Sequence, residues 1–149
     1  MPTAARREQK KPVTVFLDTS VLLAYLQEKG AAHLFDPPVV SRARYAIDPI
    51  VLQEVFLTAD QRLRPELTEM IKDRVRVLSI DPEKTRDVLQ RVRGLRNRIA
   101  HSNEAVVLAS ASDCDYLLTE DRELARLQEG KKPEILTAEQ FLARVMGLP

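Results

Sequence analysis

The chain has one cysteine, four glycines, two histidines and no tryptophan in 149 residues. The lone Cys114 excludes an internal disulfide and argues against a zinc site built from cysteines. No apolar run approaches the roughly 20 residues needed to span a bilayer. The opening residues, Met1 to Lys11, are polar and basic and lack the apolar centre of a secretory signal, so the cytoplasm is the expected location. Net charge is only +1, which excludes a polycation that holds nucleic acid by bulk charge alone.

What remains is an ordinary globular composition. Hydrophobic residues make up 44% and charged residues 30%, enough apolar material for one domain with a substantial core. Residues 1–12 read as a disordered basic lead and 13–149 as a single domain. Arginines are plentiful; Arg42, Arg44, Arg62, Arg64, Arg74, Arg76, Arg86, Arg91, Arg93, Arg96 and Arg98 either line a groove or solvate the surface.

Short β-branched and aromatic runs predict strands at Val13 to Leu17, Arg44 to Ile47, Val75 to Ile80, Tyr116 to Leu118 and Glu134 to Leu136. Between them lie helical segments: Val21 to Gln27 with Gly30 as its stop, Ile50 to Asp60, and a short one opened by Pro65. Another runs from Asp81-Pro82-Glu83 to about Ile99, followed by Ser102 to Ser112, Asp121 to Leu127, and a last one capped by Thr137 and ending near Val145. Strands alternating with helices predict an α/β fold: three layers, with a central parallel sheet of about five strands flanked by helices.

In such sheets, ligands gather beyond the carboxyl ends of the strands. Asp18 directly follows the first strand and Asp121 lies just past the fourth. Glu54 and Glu104 sit near the starts of helices, and the helix carrying Glu54 follows a strand. Helical spacing puts Glu104 on one face with Val107, Leu108 and Ala111, and Glu54 among Ile50, Val51, Leu57 and Thr58. An acid on a core-facing stripe is costly unless paired, protonated or bound to a cation. Each acid also has a structural alternative: Asp18 and Asp121 as helix caps, Glu104 as a first-turn acid, Glu54 at a stripe margin. Asp48 and Asp81 precede prolines, where capping accounts for them, and Asp115 precedes its strand and belongs at the opposite edge. His101 reads as a helix-start or packing residue.

A cluster of Asp18, Glu54, Glu104 and Asp121 offers only oxygen donors, which suits Mg²⁺ or Mn²⁺ better than zinc. Metals so held serve phosphodiester hydrolysis. Clustered acids also repel, so their pKa values should rise when no cation is present.

Three stretches carry a resemblance to the PIN-domain nucleases: FLDTSVLLAYL at 16–26, VLQEVF at 51–56 and NRIAHSNEAVVLASASDCDYLLTEDREL at 97–124. It covers roughly residues 13–145. The resemblance implies that Asp18, Glu54, Glu104 and Asp121 are metal-binding acids, with Thr19, Ser20 and Thr119 orienting the site. It implies a Mg²⁺- or Mn²⁺-dependent endoribonuclease. Many small members are toxins of bacterial toxin–antitoxin pairs and dimers are frequent, so RNA, an antitoxin protein and a second copy of the chain are the partners it suggests. The chain departs from the pattern at Glu104, where aspartate is usual, and at Asp48-Pro49, where small hydroxyl residues are common. Glu104 keeps the carboxylate so that metal binding is still expected, but its extra methylene shifts the ligand geometry. A PIN-like module without catalysis, binding RNA or a partner, is the second expectation. A phosphotransfer enzyme with an aspartate after its first strand would need Asp-x-Asp, and residue 20 is Ser20.

Overall fold

The computed structural model of the chain describes residues 10–27, 31–92, 102–127, 130 and 132–148. Five strands form one sheet in the order β3-β2-β1-β4-β5: β1 Val13–Leu17, β2 Ala43–Ile47, β3 Val75–Val77, β4 Tyr116–Leu118 and β5 Glu134–Leu136. Every pairing is parallel. The helices are α1 Thr19–Leu26, α2 Pro37–Val40, α3 Pro49–Thr58, α4 Arg64–Asp73, α5 Pro82–Val92, α6 Ser102–Ala111, α7 Arg122–Ala125 and α8 Ala138–Gln140. A 3-10 turn, Gln61–Leu63, precedes α4, and a π-helical turn, Phe141–Val145, follows α8.

β1 is the central strand because its sequence is apolar on both faces: Val15, Phe16 and Leu17 are wholly buried. The chain builds outward from β1 to β2 and β3, then returns to β4 on the other side. That reversal makes the carboxyl ends of β1 and β4 the topological switch point, the crevice where open α/β sheets bind ligands. On the face presented by Tyr45, three aromatic rings stack in series, Tyr25 on Phe35 and Phe35 on Tyr45, with centroids 4.7 and 4.9 Å apart. The Tyr45 hydroxyl donates to the Leu34 carbonyl at 2.6 Å, so its polar end is satisfied inside the core.

The expected strands match to within a residue, except that β3 stops at Val77. Leu78 still donates its amide to the Ile47 carbonyl at 2.7 Å, after which the chain turns toward Asp81-Pro82. α2 was not among the expected helices; Pro37 and Pro38 occupy its first helical positions, where no amide donor is needed. Gly30, His101 and the expected helix beyond Val92 lie outside the described residues. Among the described residues no helix is long and apolar enough to cross a membrane.

Two aspartates brace the fold at opposite edges of the sheet. Asp115 accepts the Thr14 amide at 2.8 Å and the Thr14 hydroxyl at 3.1 Å, tying β1 to β4 at their amino ends. Those bonds hold its carboxyl below the usual range. Asp48 is fully buried at the carboxyl end of β2. One of its oxygens caps α3 through the Val51 amide at 2.9 Å, and the other accepts the Ser110 hydroxyl of α6 at 2.7 Å. Asp48→Ala removes a cap and strands a polar group, so a loss of about 1–3 kcal/mol is expected in chemical denaturation. A loss under about 0.5 kcal/mol, the size of an ordinary surface change, would show that Asp48 is not a brace.

Candidate functional site

Asp18 leaves β1 at the point where β1 and β4 are still paired. Its amide donates to the Leu118 carbonyl at 3.0 Å, extending the ladder by one residue. Its side chain therefore stands at the seam between the two strands. Thr119, directly after β4 and only 2% exposed, donates its hydroxyl to Asp18 Oδ2 at 2.7 Å. Ser20 donates to the same oxygen at 3.1 Å. Protein surrounds Asp18 closely, and the desolvation raises its pKa above the ordinary value, with the neighbouring Glu54 carboxylate adding to the rise. The hydrogen bonds from Thr119, Thr19 and Ser20 oppose the rise without cancelling it.

Glu54 reaches this seam from α3. Thr19 donates its hydroxyl to Glu54 Oε2 at 2.6 Å, and Asn103 of α6 donates to Oε1 at 2.9 Å. Glu54 is half-buried beside Val51 and Val55, which form the packed face of α3. The wider stripe expected from helical spacing is not observed, because Leu57 is 75% exposed. Asn103 escaped the sequence reading. Its only signal was its place next to Glu104 in the first turn of a helix.

Asp121 follows Thr119 by two residues, and its amide donates to the Thr119 hydroxyl oxygen at 3.0 Å. One buried oxygen thus joins Asp18 to the backbone of Asp121. The Asp121 carboxylate is exposed and caps α7 through the Glu123 amide at 2.9 Å. Glu104 is half-buried in the first turn of α6, with Oε2 screened from solvent.

The structure brings Asp18, Glu54, Thr19, Ser20 and Thr119 into one hydrogen-bonded group, with Asp121 attached through its backbone and Glu104 next to Asn103. Among the described residues, no lysine or arginine forms an ion pair with Asp18, Glu54 or Asp121. Two carboxylates side by side, one of them desolvated, form an environment that a hard cation stabilises. Among the described residues, no three acidic, histidine or cysteine side chains stand close enough together to hold one ion. The donor chemistry fits Mg²⁺ or Mn²⁺, with Asp18 and Glu54 as its nucleus.

Comparison with solved structures decides the fold. The chain is similar to PAE2754 from Pyrobaculum aerophilum, at 20% identity and TM-score 0.59 over 98% of this chain and 99% of that one. It is similar to a chain of VapBC2 from Rickettsia felis, solved bound to a DNA fragment from their promoter, at 14% identity and TM-score 0.60 over 83% and 96%. A toxin–antitoxin complex from Klebsiella pneumoniae matches at 21% identity and TM-score 0.56 over 83% and 97%. The fold is PIN-like. No protein-family model and no curated protein matches the chain. At such identities the PIN-like likeness describes the path of the backbone, and the chemistry rests on the residues themselves.

Asp18 also sets a pH dependence. An acid that holds its proton more tightly when folded favours the fold below about pH 3.8, its ordinary value, and that contribution is lost as pH rises through the raised folded value. In chelator, Asp18→Asn is therefore expected to gain stability relative to the parent as pH rises from acid to neutral. Denaturation curves at both pH values check this; a variant that loses ground toward neutral pH contradicts it.

Proposed function

We propose that the chain is a metal-dependent endoribonuclease that hydrolyses RNA phosphodiester bonds beyond the carboxyl ends of β1 and β4. The observation that carries the reading is the desolvated Asp18 carboxylate, beside Glu54, at the crevice of a PIN-like sheet. Asp18 and Glu54 would take up Mg²⁺ or Mn²⁺, with Glu104 and Asp121 drawn inward to complete the shell; when bound, the metal lowers the pKa of water and offsets charge on the phosphate.

The chain's own residues do the positioning. Thr119 and Ser20 fix the Asp18 carboxylate from one side, so its orientation does not depend on solvent. Thr19 and Asn103 fix Glu54 through both of its oxygens, one bond each, and leave each oxygen with further accepting capacity. That capacity suits Glu54 to orienting the attacking water. Asp121 and Glu104 complete the acidic rim from α7 and α6. The two toxin–antitoxin structures among the similar folds support an antitoxin protein as partner and the toxin role for this chain.

Wild-type protein is expected to cut single-stranded RNA in Mg²⁺ or Mn²⁺, and Asp18→Asn to abolish cutting. Thr119→Val should lower the rate by about 10–100-fold, the usual cost of losing a residue that orients a metal ligand. A wild type inactive with either metal, or an Asp18→Asn protein that cuts equally well, ends the proposal.

A second reading, a PIN-like module that binds without cutting, is favoured by the open spacing of the acids and by glutamate at position 104. Thermal melting with Mn²⁺ separates the two. The nuclease reading expects a rise in Tm that Asp18→Asn removes; the module reading expects no rise at millimolar metal.

A further inference from the structure

A second region of the molecule has a charge pattern that neither the carboxylates nor the packing explains. A cleft of about 1170 Å³ runs beside β2 and β3, from Thr14 at the amino end of the sheet to Ser79 after β3. Arg44, Lys72, Arg74 and Arg76 line it, all four exposed, together with the aspartates Asp73, Asp81 and Asp113. Several other cations are engaged by partners. Lys84, also in this cleft, pairs with Asp113; Arg62 pairs with Asp60, and Arg126 with Glu123. Arg42 donates to the carbonyls of Met146 and Val145. No ion pair among the described residues engages Arg44, Lys72, Arg74 or Arg76; the same holds for Arg64, Arg86, Arg122 and Arg144, but the first four share one cleft.

The sheet register makes this arrangement costly in isolation. Thr14 pairs with Arg44, and Ala46 pairs with Arg76, so Arg44 and Arg76 project from the same face of neighbouring strands. Like charges on adjacent strands of one face repel. Protection of an exposed sheet edge accounts for a charge at Arg76, because β3 is an edge strand. It does not account for Arg44, which lies on β2 with strands on both sides.

We propose that this cleft binds the phosphate backbone of single-stranded RNA, apart from the carboxylate edge. With Asp113 paired to Lys84, four cations outnumber Asp73 and Asp81 along the cleft, and such a row matches a linear polyanion better than a compact one. Arginine and lysine contacts to phosphates hold a strand without reading its bases. A cleft beside the sheet would anchor a long substrate while the edge beyond β1 and β4 receives the scissile bond. The choice of RNA rests on the nuclease reading above; the cleft's anion binding does not.

The test measures anisotropy of a fluorescein-labelled oligouridylate on the full chain carrying Asp18→Asn, so that cleavage does not intrude. Arg44→Gln with Arg76→Gln is added on the same background. Two lost phosphate contacts should weaken binding about tenfold or more at low salt and reduce the slope of log affinity against log salt by about 1.4. Unchanged affinity and slope in a variant that melts like its parent overturns the proposal. Poly-glutamate of matched charge is the competitor. If it displaces the oligonucleotide as well as unlabelled RNA does, the cleft is a general anion surface and the RNA assignment falls. Should the double variant not fold, ultraviolet crosslinking of the oligonucleotide to the Asp18→Asn protein decides instead. Crosslinks in the peptides of β2 and β3 support the site, and crosslinks confined to other peptides overturn it. The nuclease reading fails separately, by absence of cleavage in the wild type while the arginine pair still governs binding.

Discussion

The Thr119 hydroxyl donates to the Asp18 carboxylate across 101 residues of sequence, and that bond can form only when β1 and β4 lie side by side. Placing them so requires the chain to lay down β1, β2 and β3 in one direction and then return past β1. The reversal opens the crevice, and the crevice takes in the carboxylate. Thr119 is buried, so its hydroxyl must be satisfied from within, and Asp18 and the Asp121 amide do this between them. A polar group inside the core is thus tolerated because it is fully bonded. The consequence is an aspartate held in a fixed direction in partly desolvated surroundings, close to a second carboxylate.

That arrangement divides the molecule electrostatically. The carboxyl edge concentrates negative side chains, while positive ones outnumber the aspartates in the cleft along β2 and β3. A net charge of +1 conceals this partition. Self-repulsion at each pole is the physical cost, and a cation at one pole and a polyanion at the other would each relieve it. Asp48 and Asp115 show the contrasting case. Their oxygens are engaged by an amide and hydroxyls, and they act as braces between elements.

Much of this was legible in the sequence because the signals were local. Five short apolar runs became five strands, and the burial of Val15, Phe16 and Leu17 follows from a run with no polar interruption. Asp48 before Pro49 and Asp81 before Pro82 read as caps, and each accepts amides from the first turn of its helix. Asp115, placed at the opposite edge on order alone, is found there. The legibility ends where a residue's role depends on distant partners. Nothing near Asn103 announces Glu54, and nothing near Ser110 announces Asp48; both contacts arise because α6 packs on α3. Helical spacing also misplaced the surroundings of Glu54, since Leu57 faces solvent, and spacing alone cannot tell the packed side of a helix from its margin.

The central claim is that the Asp18–Glu54 pair is a cation site. A crystal soaked in millimolar Mn²⁺ and measured at a wavelength where manganese scatters anomalously tests it most directly. The account predicts an anomalous peak within bonding distance of an Asp18 carboxylate oxygen, with Glu54 turned toward it. A map with no peak at that edge, or with peaks only at other surface carboxylates, would contradict it.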